Sequence, residues 1–205
     1  ESHNHNDVGT CILAIDNVPL LIDAGVGTYT KKTFSSERYT IWTMQSNYHN
    51  LPIINGQPES FGTQYHATQV RADEKRCIFT ADIAKAYPEE AAVDSWIRAY
   101  QLQKNRLVIT DDYRLKMKKA PNQLNFMTWG NVDISEKGRI KLHINKVKAT
   151  LSYDANVFKP TVEAVELTDQ RLSKVWGDRI YRITLTANDQ ALSGQYRCTV
   201  TRDNP

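Results

Sequence analysis

The sequence lacks several features that would place it in a familiar class of protein. It contains no run of eighteen apolar residues, so it predicts no membrane-spanning helix. Its first residues are polar, whereas a secretory signal has a basic start and an apolar middle. The only cysteines are Cys11, Cys77 and Cys198, which lie far apart, so neither a CxxC metal knuckle nor a dense disulfide framework is available. The odd number leaves at least one free thiol.

Common enzyme motifs and a strong charge bias are also missing. The sequence has no GxGxxG before a helix, no GxxxxGK[ST], no GxSxG and no HExxH, which argues against nucleotide enzymes, serine hydrolases and zincin proteases. The net charge is only +3, and basic residues cluster only at 31–32 and 116–119. We therefore predict no nucleic-acid partner, because such proteins concentrate their basic residues. An anionic polysaccharide and an ordinary solvated surface both remain compatible with this charge.

Alternating patterns with a period of two dominate the chain. In SWIRAYQL, Trp96, Arg98, Tyr100 and Leu102 fall on one face and the intervening residues on the other. Many short segments of this kind, separated by turn residues and without intervening helices, predict an all-β fold, an antiparallel β-sandwich of many strands with little helix. We expect one domain spanning 1–205, because the sequence has no internal repeat, no low-complexity tract and no linker rich in Pro, Gly or Ser. The expected strands are 10–15, 18–22, 51–54, 63–71, 76–83, 94–103, 106–113, 123–129, 139–144, 149–153, 161–167, 171–176, 179–186 and 194–201.

The opening, ESHNHNDVGT, concentrates polar residues that could carry chemistry. If this stretch is extended, the imidazoles of His3 and His5 point to the same side. The following hairpin, turning at Asp16 and Asn17, would bring Asp23 back beside the start of the chain, and His49 arrives after a glycine-containing loop. Two imidazoles and a carboxylate are a common zinc set, so residues 5, 23 and 49 are a candidate metal site. Spacing alone leaves open that each histidine is an ordinary surface or hydrogen-bonded residue and that Asp23 caps a turn.

Other titratable residues fit structural roles better. His66 and His143 lie in strand-like segments without acidic or cysteine partners, which favours satisfied structural histidines. Most tyrosines fall in alternating strands, where they would pack. Tyr29 and Tyr39 differ because they fall in the loop region between Asp23 and His49, where a phenol could reach solvent and a substrate.

Three segments in order, SHNHNDVGT, LLIDAGVGTYT and IWTMQSNYHNLPIING, resemble the carboxy-terminal β-sheet domain of the heparinase II/III family of polysaccharide lyases. The resemblance is closest to the heparinase III branch and is concentrated in the first sixty residues. It implies an enzyme with an amino-terminal helical toroid and a carboxy-terminal β-sandwich, with the substrate cleft between them. The abrupt start without methionine agrees with a chain whose upstream part is missing. The helical domain would then be the partner of this one.

The resemblance also implies roles for single residues. The first histidine of the opening, His3, would act in the catalytic cleft, while His5, Asp23 and His49 would bind a structural zinc ion. Tyr39, and more loosely Tyr29, would contact the substrate.

The reaction implied is β-elimination on a uronic acid of an acidic polysaccharide, expected to be heparin or heparan sulfate. The family pattern places a further Asn and Tyr in the absent helical half, so we expect the isolated chain to be inactive or weakly active. A noncatalytic carbohydrate-binding sandwich, or a lyase acting on alginate or another uronate, are the alternatives. A periplasmic or secreted location is implied by the resemblance alone.

Overall fold

Strands form most of the regular structure in the computed structural model, which describes residues 3–204. Glu1, Ser2 and Pro205, the ends of the expected 1–205 domain, lie outside the described residues. The strands are β1 (Leu13–Ile15), β2 (Val18–Leu21), β3 (Pro52–Ile53), β4 (Thr68–Asp73), β5 (Ile78–Asp82), β6 (Val93–Gln103), β7 (Arg106–Leu115), β8 (Gln123–Thr128), β9 (Asn131–Glu136), β10 (Arg139–Ile144), β11 (Val147–Ser152), β12 (Phe158–Glu166), β13 (Arg179–Ala187) and β14 (Ser193–Arg202). The helix is α1 (Gln170–Trp176), and 3₁₀ turns occupy Lys31–Phe34, Arg38–Thr40, Trp42–Met44, Ser46–Tyr48, Ala84–Ala86 and Glu89–Ala91.

Two antiparallel sheets enclose one main core. The larger has eight strands in the order β4-β5-β6-β7-β14-β11-β10-β9, and the smaller has four in the order β12-β13-β8-β3. Trp96 and Ile109 from the larger sheet and Phe126 and Ile183 from the smaller belong to the same buried cluster. The predicted all-β sandwich is confirmed, because alternating strands can bury their apolar faces only against a second sheet.

The strands with the clearest alternation match the prediction. On β6, Trp96, Arg98 and Tyr100 are at most 9% exposed, whereas Leu102, near the strand end, is 56% exposed. Asn105 closes the hairpin to β7 with a φ of 61°, a left-handed conformation that asparagine tolerates better than most residues. The first predicted hairpin is also present, but its strands are shorter than the expected 10–15 and 18–22.

Three parts of the prediction are wrong. In the segment expected as strand 63–71, residues 63–67 form a turn and irregular structure, and the strand begins only at Thr68. The segment expected as strand 171–176 is the helix α1, because the Asp169 side chain accepts a hydrogen bond from the Arg171 backbone N–H and caps its first turn. The strand β9 was not predicted at all, since its sequence NVDISE has only two apolar side chains. Among residues 3–204, no helix is long and apolar enough to cross a membrane.

The segments that carry the candidate site are irregular, and backbone hydrogen bonds fix them to the small sheet. Just after β2, the Ile22 N–H donates to the Met127 carbonyl at 2.9 Å, which places Asp23 at the end of β8. The Asn6 N–H donates to the Met44 carbonyl at 2.9 Å, which joins the opening to the 3₁₀ turns before His49. The opening, the end of β2 and the 3₁₀ loop therefore meet at one edge of the sandwich.

Candidate functional site

His49 and Asp23 face each other at this edge. The His49 Nε2 lies 3.4 Å from the Asp23 Oδ2, and the ring is almost fully buried. On the other side of the ring, Nδ1 lies 2.8 Å from the Gln45 carbonyl, which can only accept a hydrogen bond. Nδ1 therefore carries the hydrogen, so in the neutral imidazole the lone pair of Nε2 points at Asp23. This arrangement can hold either a proton or a metal ion between the two groups.

His5 completes the cluster. Its ring lies 5.7 Å from that of His49, between centroids, and one ligand atom from each of His5, Asp23 and His49 can be chosen so that all lie within 4.8 Å of one another. Zinc bonds of about 2.1 Å in tetrahedral geometry place two ligand atoms roughly 3.4 Å apart, close to the separation found for Asp23 and His49. The other Asp23 oxygen, Oδ1, accepts the Gly25 N–H at 2.7 Å, which orients the carboxylate. The donor types, the orientation of Asp23 and the Asp23–His49 separation fit a zinc ion, and His5 lies near enough to be the third ligand.

The pKa values of His5 and His49 are shifted in opposite directions. Burial lowers the pKa of His5 below its ordinary value, and the nearby His49 adds to this shift. Burial opposes the charged form of His49 too, but the hydrogen bond and charge of Asp23 outweigh it and raise the pKa of His49. Burial would raise the pKa of Asp23, yet His49 holds it below the usual range. His5 thus favours the neutral form that a metal ligand needs, and Asp23 favours the carboxylate.

A second carboxylate, missed in the sequence, belongs to the surroundings of the cluster. Burial raises the pKa of Asp7, while the charges of His49 and His5 lower it in part. Asp7 therefore lies within electrostatic range of both rings. A usable signal was present in the sequence, since Asp7 follows His5 by two residues in the same polar opening.

His3 does not join the cluster. It is exposed, and its ring packs edge-on against Phe34 with 6.4 Å between centroids. Tyr29 contacts the other side of Phe34 at 5.3 Å and lies beneath the Arg171 guanidinium at 5.1 Å. His3 and Tyr29 therefore share one exposed aromatic surface beside the cluster.

Tyr39 contacts the opening segment through Asn4. Its hydroxyl accepts a hydrogen bond from the Asn4 side chain at 3.2 Å, and its ring stacks on Phe61 with 4.1 Å between centroids. The neighbouring Arg38 is buried and donates to the carbonyls of Asn4 and Thr33, each at 2.8 Å. The opening, with His3 and His5, is thereby fixed to the loop that carries Tyr39.

Asn50, next to His49, connects the three segments of the site. It is 2% exposed, and its side-chain N–H₂ donates to the Cys11 carbonyl at 2.7 Å and to the Ile22 carbonyl at 3.2 Å. Its Oδ1 accepts the Met127 N–H at 2.6 Å. From the large sheet, Arg98 donates to the Asn50 carbonyl at 2.7 Å. Sequence reasoning missed this residue, because its partners are distant in the chain.

The remaining histidines and the cysteines contribute nothing to this cluster. His66 and His143 are exposed, and neither belongs to the group of potential metal ligands found among residues 3–204. Cys11, Cys77 and Cys198 are all free thiols, and Cys77 is exposed in the turn between β4 and β5.

Comparison with known proteins gives the family. A family model for the heparinase II/III-like C-terminal domain matches residues 1–192. No curated protein sequence matches the chain. Solved structures with the same fold include the heparan sulfate lyase HepC from Pedobacter heparinus, with a TM-score of 0.74 and 14% identity over 99% of this chain and 31% of that one. A structure of heparinase III has a TM-score of 0.66 and 17% identity over 98% of this chain and 30% of that one.

This chain therefore spans about a third of the length of these structures. At such low identity the structural likeness establishes the fold, which agrees with the resemblance seen in the sequence. Since the family model covers nearly the whole chain, the protein belongs to the family of heparinase II/III-like C-terminal domains.

Proposed function

We propose that this chain is the sandwich part of a polysaccharide lyase that cleaves a uronic-acid-containing glycosaminoglycan, heparin or heparan sulfate, by β-elimination. The observation that carries the proposal is the grouping of His5, Asp23 and His49 beside a surface that presents His3 and Tyr39. A domain of this family with only a structural role would not need exposed aromatic and imidazole groups around a potential metal site.

The reaction requires a base and an acid at a sugar ring. A base removes the proton at C5 of the uronic acid, the electron pair forms the C4–C5 double bond, and the C4 oxygen leaves and takes up a proton. His3 is the base in this proposal, because histidine side chains exchange protons near neutral pH. Tyr39 and Tyr29 are substrate contacts, and both lie near the opening segment. The sugar carboxylate needs hydrogen-bond donors that stabilise the charge on the intermediate.

A zinc ion fits the three ligands and has a structural role in this proposal. Bound zinc would stabilise the fold by joining the opening, the end of β2 and the loop before β3. His5 would then be fixed two residues away from His3. Gln45 and Gly25, which orient His49 and Asp23, would act from outside the ligand set.

The catalytic site needs a second domain in this proposal. The chain matches only about a third of the length of the structures that share its fold. A helical toroid domain of the same longer protein would supply the groups that stabilise the sugar carboxylate and protonate the leaving oxygen. The isolated chain should accordingly be inactive or weakly active. A periplasmic or secreted location follows in this proposal, since such polysaccharides are met outside the cytoplasm.

The metal site is tested by the zinc content of the chain, purified without chelators and measured by mass spectrometry. We expect about one zinc per chain, lost in both His5→Ala and His49→Ala. His143→Ala is the matched control, because His143 is exposed on β10 and should leave the zinc content unchanged. Absence of zinc from the wild-type chain would contradict the metal assignment.

The catalytic assignment is tested in the full-length protein by the ultraviolet absorbance of the new C4–C5 double bond. His3→Ala should lower kcat by roughly 10²- to 10⁴-fold and keep the zinc content of the wild type. Unchanged kcat would refute the role of His3. Elimination on alginate but not on heparan sulfate would show that the substrate is a different uronate. Sugar binding without any elimination would favour a noncatalytic binding module.

A further inference from the structure

A cavity adjoins the candidate site on the outer face of the small sheet. It measures about 530 Å³ and lies between the 3₁₀ loop, the segment around Phe61, and strands β8 and β13. Ligand pockets in proteins typically measure about 300–1,000 Å³. Neither His3 nor the cluster of His5, Asp23 and His49 lines this cavity.

Polar atoms without partners concentrate in the walls of this cavity. Among residues 3–204, five buried side-chain polar atoms have no hydrogen-bond partner, and four belong to residues that line it. These four are the Asn6 Oδ1, the Glu59 Oε1, the Asn125 Nδ2 and the Arg182 Nε. Asn6, Glu59 and Asn125 are each more than nine-tenths buried. Each of these atoms has almost no exposed surface, so a ligand in the cavity reaches it only after a small shift of the wall, and the missing hydrogen bond favours that shift.

The rest of each side chain is already fixed. The Asn125 Oδ1 accepts from the Thr184 hydroxyl at 2.8 Å, and the Glu59 Oε2 accepts the Val8 N–H at 2.9 Å. Asn6 donates to the Glu59 carbonyl at 3.4 Å. Each of these three side chains is therefore held by one hydrogen bond, and one further donor or acceptor of each is left without a partner.

The charges in the cavity balance. Arg182 forms an ion pair with Glu163 at 2.6 Å and donates to the Asn47 carbonyl at 3.2 Å. Burial raises the pKa of Glu59 well above its ordinary value, so this carboxyl favours its neutral form. No lysine lines the cavity. Without an unpaired cation, the site suits a neutral ligand better than a sulfate or carboxylate.

An aromatic ring stands at the rim. Phe61 is 49% exposed although Tyr39 covers one of its faces, and both rings line the cavity. An exposed ring beside amide groups provides an apolar surface for C–H groups next to partners for hydroxyls. A sugar ring presents both kinds of group.

We propose that this cavity is a subsite for one uncharged sugar ring, with Phe61 against the apolar face of the ring and Asn6 and Asn125 bonded to its hydroxyls. The inference rests on the proposed function, because it supposes a polysaccharide substrate that extends from the surface beside Tyr39.

The test is an NMR titration of the chain with a neutral pyranoside, methyl α-glucoside, and in parallel with inorganic sulfate. We expect the side-chain amide signals of Asn6 and Asn125 to shift with the sugar and not with sulfate. Phe61→Ala should weaken sugar binding about tenfold. Phe79→Ala, which removes an exposed phenylalanine from β5 outside this cavity, should bind like the wild type.

Several outcomes would overturn the subsite. One is equal sugar affinity in Phe61→Ala and the wild type. Another is the absence of any shift of the amide signals at high sugar concentration, which is the result expected if the cavity holds only water. Asn125→Asp, which removes the donor Nδ2, should also weaken binding; if it does not fold, the exposed Phe61 still provides the test. In the full-length protein, Phe61→Ala should raise KM with little change in kcat. Elimination with an unchanged KM would reject the subsite alone, and sugar binding without elimination would reject the proposed lyase alone.

Discussion

Replacing Asn50 by alanine should loosen the whole site without removing any residue proposed to bind metal or substrate. The change deletes three hydrogen bonds, to the carbonyls of Cys11 and Ile22 and from the Met127 N–H. It removes the partner of two buried backbone groups, at Ile22 and Met127, and of the partly buried Cys11 carbonyl, each worth about 1–3 kcal/mol when buried. Partial relaxation reduces the sum, so we expect a loss of about 3–4 kcal/mol in the free energy of unfolding. For a chain of this size that corresponds to a fall in Tm of about 6–16 °C.

Urea unfolding of the apo chain measures this loss, and competition with a zinc chelator measures the metal affinity of the folded protein. We expect zinc affinity to fall about 10- to 100-fold in Asn50→Ala, the range found when outer partners of a metal site are lost. Asn47→Ala is the matched control, since Asn47 lies in the same loop and makes no side-chain hydrogen bond within the described residues. Unfolding and zinc binding that match the wild type within about 0.5 kcal/mol would refute the role given to Asn50.

Two further substitutions test the buried charges. Glu59→Gln should stabilise the chain above pH 4.5, by an amount that grows with pH. The pKa of Glu59 is raised in the folded state, so the unfolded state ionises first and the wild type loses stability as the pH rises towards the folded-state pKa. Thermal unfolding from pH 4 to 8 that shows a constant difference between the two proteins would contradict this. Asp111→Asn should cost about 3–5 kcal/mol in urea unfolding, because it leaves Arg98, which Asp111 binds at 2.7 and 2.9 Å, buried without a counter-charge. The double variant Arg98→Met with Asp111→Leu should recover much of that loss, and a double variant no better than Asp111→Asn would argue against a charge effect.

The sequence predicted those parts of the fold in which local pattern and tertiary environment agree. The alternation of β6 places its buried face correctly, and the Asn105 turn is marked by a residue that accepts a positive φ. The prediction failed at α1, where a cap by Asp169 decides whether a short apolar segment forms a helix or a strand. Such a short segment fits a strand or a helix equally well until its first turn is known.

The candidate site divides in the same way. The grouping of His5, Asp23 and His49 followed from the predicted hairpin and agrees with the structure, whereas their hydrogen-bond partners were not predicted. Asn50 reaches Met127, 77 residues away, and no periodicity in a single sequence encodes such a contact. Phe61 was missed for a similar reason, because its role depends on the position of Tyr39 across a loop.

Polar side chains in the core explain how irregular segments can carry a fixed site. Apolar packing holds two sheets together but is non-directional, so it does not by itself fix the position of a loop relative to the sheets. Arg98 and Tyr100 instead extend from β6 and donate to the carbonyls of Asn50 and Gly9, at 2.7 and 2.5 Å. These bonds fix the loop beside His49 and the opening segment after His5 relative to the same strand. Burying the charge of Arg98 costs free energy. The directional hydrogen bond from Arg98 to the Asn50 carbonyl gives a physical reason for a buried arginine at this position.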